Sequence, residues 1–283
     1  MNSLLKDQAA IDKARELLIE AGVWDVETDL ACLADRYLER RCKDRARDEF
    51  MLAVHERCNR IPLGHIVGIA DFDELPLVVG TGVFIPRPHS QIIHKWLENE
   101  HEVPQGSGVL DLCSGSGAIG LAIAKRRPDL KVTCVEYDDI AFQYLTRNIS
   151  RLAGWAVKAE ALKADLRDWQ AFSQFNGSVA LIVANPPYVP EQQTILPEWE
   201  EHHPYVSVYS GDDGLDLTRL IIKQARQLLQ SNGWLVIEHG ESQEQSVRTL
   251  FSDAGFSLVR TIIDKDISDT TGSSVITVGC QLI

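Results

Sequence analysis

Val109-Leu-Asp-Leu-Cys-Ser-Gly-Ser-Gly-Ala-Ile-Gly120 runs an apolar strand, Val109–Cys113, directly into Gly115, Gly117 and Gly120 at the spacing G-x-G-x-x-G. A helical stretch over 117–126 follows, and an acidic residue, Glu136, closes the next strand about 20 residues on. The three glycines let backbone approach a ligand closely. N–H groups at the start of a helix attract a carboxylate or phosphate, and a carboxylate at Glu136 can accept from two ribose hydroxyls. Strand, glycine turn, helix and acid together predict a nucleotide-type crevice at the end of a parallel sheet.

Outward from this stretch, strands and helices alternate. The pattern predicts a strand at Val132–Tyr137, a helix over 138–152, a weak strand over 159–164 and a strand at Val179–Ala184. A helix over 215–230, a strand at Trp234–His239 and a helix over 242–254 continue the series. Ser257–Ile263 and Val275–Leu282 are two strands with no helix between them, so the last is expected to run antiparallel. The fold class is α/β, a seven-stranded, mostly parallel sheet with helices on both sides.

Val179-Ala-Leu-Ile-Val-Ala-Asn-Pro-Pro-Tyr188 reads as a strand buried on both faces that must stop at Asn185. Neither proline donates a backbone hydrogen bond, and Pro187 keeps Pro186 extended. The Asn185 side-chain oxygen and the Pro186 carbonyl are thereby left beyond the strand end, with the Tyr188 ring beside them. Two acceptors and a ring suit a planar NH2 group.

The remaining chain sets the context. At 283 residues, with a formal net charge of −13, the protein is an ordinary globular chain that lacks the basic footprint of a bulk nucleic-acid binder. No apolar run reaches the ~20 residues that span a bilayer, and the start has no signal-peptide pattern, so a cytoplasmic location is expected. Six scattered cysteines without a CxxC pair argue for free thiols, not a metal or disulfide framework. Helices are expected over 3–22, 27–42 and 46–59, forming a helical domain over 1–67. Residues 68–88 read as a linker of short strands, Ile69–Phe72, Leu75–Val79 and Val83–Ile85, with a hairpin turn at Gly80-Thr-Gly82. The α/β domain then spans 89–283.

The glycine pattern alone does not separate NAD from S-adenosyl-L-methionine. Asp111 can bind the cationic amino group of a methionine tail, which NAD lacks, and Asp165 could accept from an adenine amino group. With Asn185-Pro-Pro-Tyr188 across the crevice, these residues favour S-adenosyl-L-methionine.

Pro62-Leu-Gly-His-Ile-Val-Gly68, Phe84-Ile-Pro-Arg-Pro88, Leu110-Asp-Leu-Cys-Ser-Gly-Ser-Gly117, Asn185-Pro-Pro-Tyr-Val189 and Gly211-Asp-Asp-Gly-Leu-Asp216 together cover nearly the whole chain. In this combination the sequence resembles the HemK-type protein-(glutamine-N5) methyltransferases, which modify a glutamine of peptide chain release factors. Asn-Pro-Pro-Tyr by itself is shared with nucleic-acid methyltransferases; the pairing with Ile-Pro-Arg-Pro is not. The resemblance implies a Rossmann-like class I methyltransferase fold, with the N-terminal helical domain recognising the substrate. It assigns Asn185, Pro186 and Tyr188 to catalysis and Phe84, opposite Tyr188, to the substrate side chain; Pro187, His203 and the acidic-loop Glu198 are further candidate substrate contacts. Asp111, Cys113, Gly115, Gly117, Glu136, Tyr137, Asp165, Leu166 and Asn185 would hold the cofactor. No metal is implied.

Three positions depart from the family pattern. Where the family has Arg-Pro-x-Thr-Glu, this chain has Arg87-Pro-His89-Ser90-Gln91; its Glu-Pro is His203-Pro204 here; and an arginine is missing from Thr271-Gly-Ser-Ser-Val-Ile276. These departures, with the acidic Glu198-Trp-Glu-Glu201, keep a second expectation open: an N-methyltransferase of a free amino acid such as arginine or glutamine, whose cationic group those acids would bind. His89, His202 and His203 are candidate bases near the loop.

Overall fold

The computed structural model describes residues 3–39, 43–99, 103–269 and 272–282. The chain forms two compact units, Met1–Ile69 with Ile195–His202, and Ala70–Thr194 with His203–Ile283.

The first unit is helical: α1 (Ser3–Glu20), α2 (Val26–Ala34), α3 (Lys43–Cys58) and α4 (Leu63–Val67), joined by the short α8 (Pro197–Glu200). Asp25 caps α2 by accepting the Thr28 N–H, and Gly68, at φ +76°, ends α4 in the left-handed conformation that glycine adopts without penalty. The helix expected over 27–42 gives way at Asp35 to a π-helical turn, Asp35–Glu39, and residues 40–42 lie outside the described residues. Leu18, Leu33, Phe50 and Val54 make the core of this unit.

The second unit opens with a two-stranded sheet, β1 (Ile69–Phe72) and β2 (Leu75–Val78). The hairpin is therefore one strand earlier than expected. Its two-residue turn is Asp73-Glu74, both with positive φ, the geometry that matches strand twist. No strand forms at Val83–Ile85. A Cβ on Gly80 would come within 2.3 Å of the Tyr144 hydroxyl, and one on Gly82 within 2.7 Å of Ile140. These glycines let the chain pass close to α7 (Asp139–Leu152), where Val79 and Val83 pack on Ala141.

The main sheet contains β3 (Gly108–Leu112), β4 (Lys131–Glu136), β5 (Ala159–Lys163), β6 (Val179–Ala184), β7 (Leu229–Glu238), β8 (Ser257–Asp269) and β9 (Gly272–Gln281). Their order is β5-β4-β3-β6-β7-β9-β8, with β9 antiparallel to both neighbours. The expected seven strands and antiparallel last strand are present. One face packs on α5 (Gln91–Asn99), α6 (Ala118–Arg126) and α7, the other on α9 (Asp216–Leu228) and α10 (Glu244–Asp253). All six residues of β6 are buried, as a central strand covered by helices on both faces requires. The chain order reverses at β3 and β6, so their carboxyl ends face one crevice.

Candidate active site

The loop after β3 forms one wall. Cys113 has φ +60°, an uncommon backbone conformation for a side-chain-bearing residue, and Gly115 and Gly117 are also left-handed, at +56° and +90°. A Cβ on Gly117 would press into Leu145 and Leu121, whereas one on Gly115 would meet nothing within 4 Å. Gly117 is thus a packing requirement, and Gly115 borders open space.

Glu136, at the end of β4, ties this loop together. Its Oε2 accepts the Gly115 N–H at 2.8 Å and its Oε1 the Asp138 N–H at 2.7 Å. Burial pushes its carboxyl above the usual range, opposed by those N–H groups. A carboxylate has about four acceptor sites, so Glu136 keeps acceptor capacity beyond these two bonds, beside the open space at Gly115. A diol-bearing nucleoside such as that of S-adenosyl-L-methionine fits this donor set and cradle.

Asp111 lies inside the end of β3. It is fully buried, and Oδ2 accepts the Gly120 N–H at 2.9 Å, which fixes the first turn of α6. A Cβ on Gly120 would come within 2.4 Å of Cys134 and 2.9 Å of that carboxylate oxygen. Oδ1 has no hydrogen-bond partner among the described residues, and burial pushes the carboxyl up to about 7. Asp165 lies two residues past β5, with both oxygens taken by Arg167 in a surface ion pair. Arg167 also stacks over Tyr137, whose ring is exposed, while Leu166 is buried and its carbonyl accepts from Gln224. Asp165 thus sits at the surface end of β5, paired with Arg167.

The second wall is the end of β6. Asn185 Nδ2 donates to Ser90 Oγ at 3.1 Å, which leaves Oδ1 as the acceptor end of the side chain; Pro186 and Pro187 are buried. Gln243 Nε2 donates to the carbonyls of both Tyr188 and Asp213, at 2.9 and 3.0 Å, and so joins the tyrosine to the loop at Gly211–Asp216. A Cβ on Gly214, at φ +76°, would lie 2.1 Å from the Tyr188 carbonyl oxygen, so only glycine fits there. Arg87 Nη1 donates to the Tyr188 hydroxyl at 3.4 Å.

Each of the three histidines makes contacts within the fold. His203 is buried, its Nε2 accepts the Ile85 N–H at 3.2 Å, and its ring lies 4.7 Å from Phe84. It orients Phe84. His89 is also buried, contacting Arg87 and, through Nε2, the Gly272 carbonyl; Thr271 lies outside the described residues. His202 faces the Asn59 carbonyl within the helical unit.

Glu198 is a correction. Instead of awaiting a substrate, it is buried in the helical unit, with Oε1 accepting from Arg57 and Arg60 and Oε2 from Arg60. Arg57 also pairs with Asp29. Burial raises the Glu198 carboxyl, but the two guanidinium groups outweigh it and hold it below the usual range.

Ser90, Gln243 and Glu238 were not singled out as site residues from sequence. Ser90 did carry a signal, standing where the family has threonine and keeping the hydroxyl. Nothing local distinguishes Gln243 or Glu238.

Known proteins agree with this architecture. The methyltransferase small domain family matches residues 87–201. Among solved structures, the hMettl16 catalytic domain superposes with a TM-score of 0.58 at 15% identity, over 88% of this chain and 91% of that one. A methyltransferase from Pyrococcus furiosus gives 0.52 at 18% identity, over 74% and 90%. These show the fold. A release factor glutamine methyltransferase of Mycolicibacterium smegmatis is 35% identical over 260 residues, 88% of this chain and 89% of its own length. That of Streptomyces coelicolor is 35% identical over 268 residues, 89% and 90%. With that identity along almost its full length, the chain belongs to the release factor glutamine methyltransferase family and is a methyltransferase.

Proposed function

We propose that this enzyme transfers a methyl group from S-adenosyl-L-methionine to the side-chain amide nitrogen of a glutamine in a peptide chain release factor. The observation that carries the reading is the Asn185 side chain, anchored through Nδ2 so that Oδ1 is an acceptor beside the Gly115 loop. The sulfonium of the cofactor supplies an already activated methyl group.

The difficulty lies with the acceptor, because an amide nitrogen has its lone pair delocalised into the carbonyl. Asn185 Oδ1 and the Pro186 carbonyl would each take one amide N–H, raising electron density on nitrogen and fixing its direction. Tyr188, held by Gln243 and Arg87, and Phe84, held by His203, would confine the flat side chain from either side. Glu136 and the backbone at Gly115 would hold the ribose. The nitrogen becomes acidic as the new bond forms and loses its proton to water, so no histidine is needed as base.

The free-amino-acid reading loses one of its two supports, because the Glu198 carboxylate is already neutralised by two arginines. In this reading the enzyme works in the cytoplasm and the helical domain recognises the release factor.

The test is incubation with methyl-labelled cofactor and, in parallel, intact release factor, a glutamine-containing peptide from it, free glutamine and free arginine, followed by mass mapping. Label should appear on one glutamine of the release factor far faster than on either amino acid. Efficient turnover of a free amino acid with an inert release factor would overturn the assignment.

A further inference from the structure

The end of β7 carries a buried acid that the chemistry above leaves unused. Along β7, Trp234, Val236 and Glu238 point to the face covered by α5, as period-2 alternation dictates. The β6–β7 register pairs Ala184 with Ile237, which brings the next residues, Asn185 and Glu238, side by side beyond the last pair. Ser90, in the turn leading into α5, accepts from Asn185 Nδ2 through its Oγ, and its hydroxyl is the neighbouring group that holds the Glu238 carboxyl down against burial. Glu238 is only 2% exposed, and Oε2 has no hydrogen-bond partner among the described residues. A buried carboxylate with an unsatisfied oxygen is destabilising and calls for an explanation.

We propose that Ser90 and Glu238 are positioning residues that set which end of the Asn185 side chain faces the methyl acceptor. The logic is one of hydrogen-bond polarity. An ionised carboxylate only accepts, so beside it the Ser90 hydroxyl can only direct its single proton toward Glu238. Ser90 Oγ then presents a lone pair, which can be met only by the NH2 end of Asn185. The carbonyl end is left for the acceptor's N–H. Were the polarity reversed, with Ser90 donating toward Asn185, the amide would turn and present two donors to a substrate that itself brings donors. The charge of Arg87 favours the ionised form of Glu238 against burial and so supports the working polarity.

This rests on Asn185 taking an acceptor N–H, and the experiment separates the two ideas. Asn185→Ala, Ser90→Ala, Ser90→Thr and Glu238→Gln are compared in the full chain, with release factor as acceptor. Cofactor affinity is followed by calorimetry, and the Asn185 side-chain amide by NMR. Ser90→Ala should lower kcat by about 10–100-fold with cofactor affinity unchanged, and its Asn185 NH2 resonances should shift and broaden as the amide loses its anchor. Ser90→Thr, which keeps the hydroxyl, should recover most of the rate, and Glu238→Gln should fall with Ser90→Ala. A Ser90→Ala enzyme with unchanged kcat and unchanged Asn185 resonances would overturn the proposal. So would a threonine variant no better than alanine. If release factor is not methylated at all, the acceptor assignment fails, and the NMR comparison still decides whether Ser90 orients Asn185. Full transfer by Asn185→Ala would refute both ideas.

Discussion

The two walls of the crevice are built in opposite ways. On the cofactor side, one contiguous stretch does almost everything: backbone turns at Cys113, Gly115 and Gly117, and Glu136 from the adjacent strand. On the side proposed for the acceptor, Asn185–Tyr188 would supply the contacts, and Ser90, Gln243, Arg87 and His203, from distant parts of the sequence, hold the residues around it in place. The cofactor wall is therefore backbone-defined. The acceptor wall is a set of side chains whose directions depend on one another, and it should be the easier wall to damage without unfolding the protein.

The sharpest way to break that contrast is Asn185→Ala. In the proposed role the side chain acts in the transition state, so kcat should fall by about 10²–10³-fold. Cofactor affinity by calorimetry should barely change; an equally steep loss of affinity would assign Asn185 to the wrong wall.

Glu198→Gln asks where the loop after Tyr188 is anchored. Arg57 and Arg60 would lose their shared carboxylate charge in a buried setting, a change that costs about 3 kcal/mol when one partner of a buried pair is removed. Thermal or urea unfolding should show the loss while cofactor affinity stays intact. If Glu198 instead met a cationic substrate, acceptor KM would rise with stability unaltered.

Glu136→Ala tests the other wall, with an expected loss in cofactor affinity of about 10–100-fold and a smaller effect on kcat at saturation. An unchanged cofactor KM would remove its ribose role.

The smallest effect concerns pH. Burial pushes Glu238 up to about 7, against Ser90 and Arg87, the polar and charged groups that face it. In the proposed role its ionised form is the working one, so kcat should decline as pH falls through about 7 and level off at the rate of Glu238→Gln. Asp111 is also pushed up to about 7, but it sits under the glycine loop, and its titration should register in cofactor KM. Pre-steady-state kcat profiles for the parent and Glu238→Gln decide the source: the acid limb should vanish in the variant.

Much of this protein is written locally. Alternating apolar strands and helices specify the sheet, because side-chain periods of 2 and 3.6 sort residues onto faces whatever their partners. The glycine spacing after β3 and the two prolines after Asn185 restrict φ within a few residues, so the strand ends and the crevice they border follow from the sequence itself. Other features are fixed only by packing. Gly80 and Gly82 resemble a hairpin turn until α7 comes to lie against them, and the actual turn at Asp73-Glu74 carries no glycine signal. Glu198 reads as a free acid until Arg57 and Arg60 reach it from about 140 residues away, a pairing no local pattern encodes. Ser90 and Glu238 gain meaning only when β6 and β7 lie in register with the turn before α5 above them. Backbone restrictions act within a few residues of their cause, whereas the direction of a hydrogen bond depends on whichever distant group the fold places at its other end.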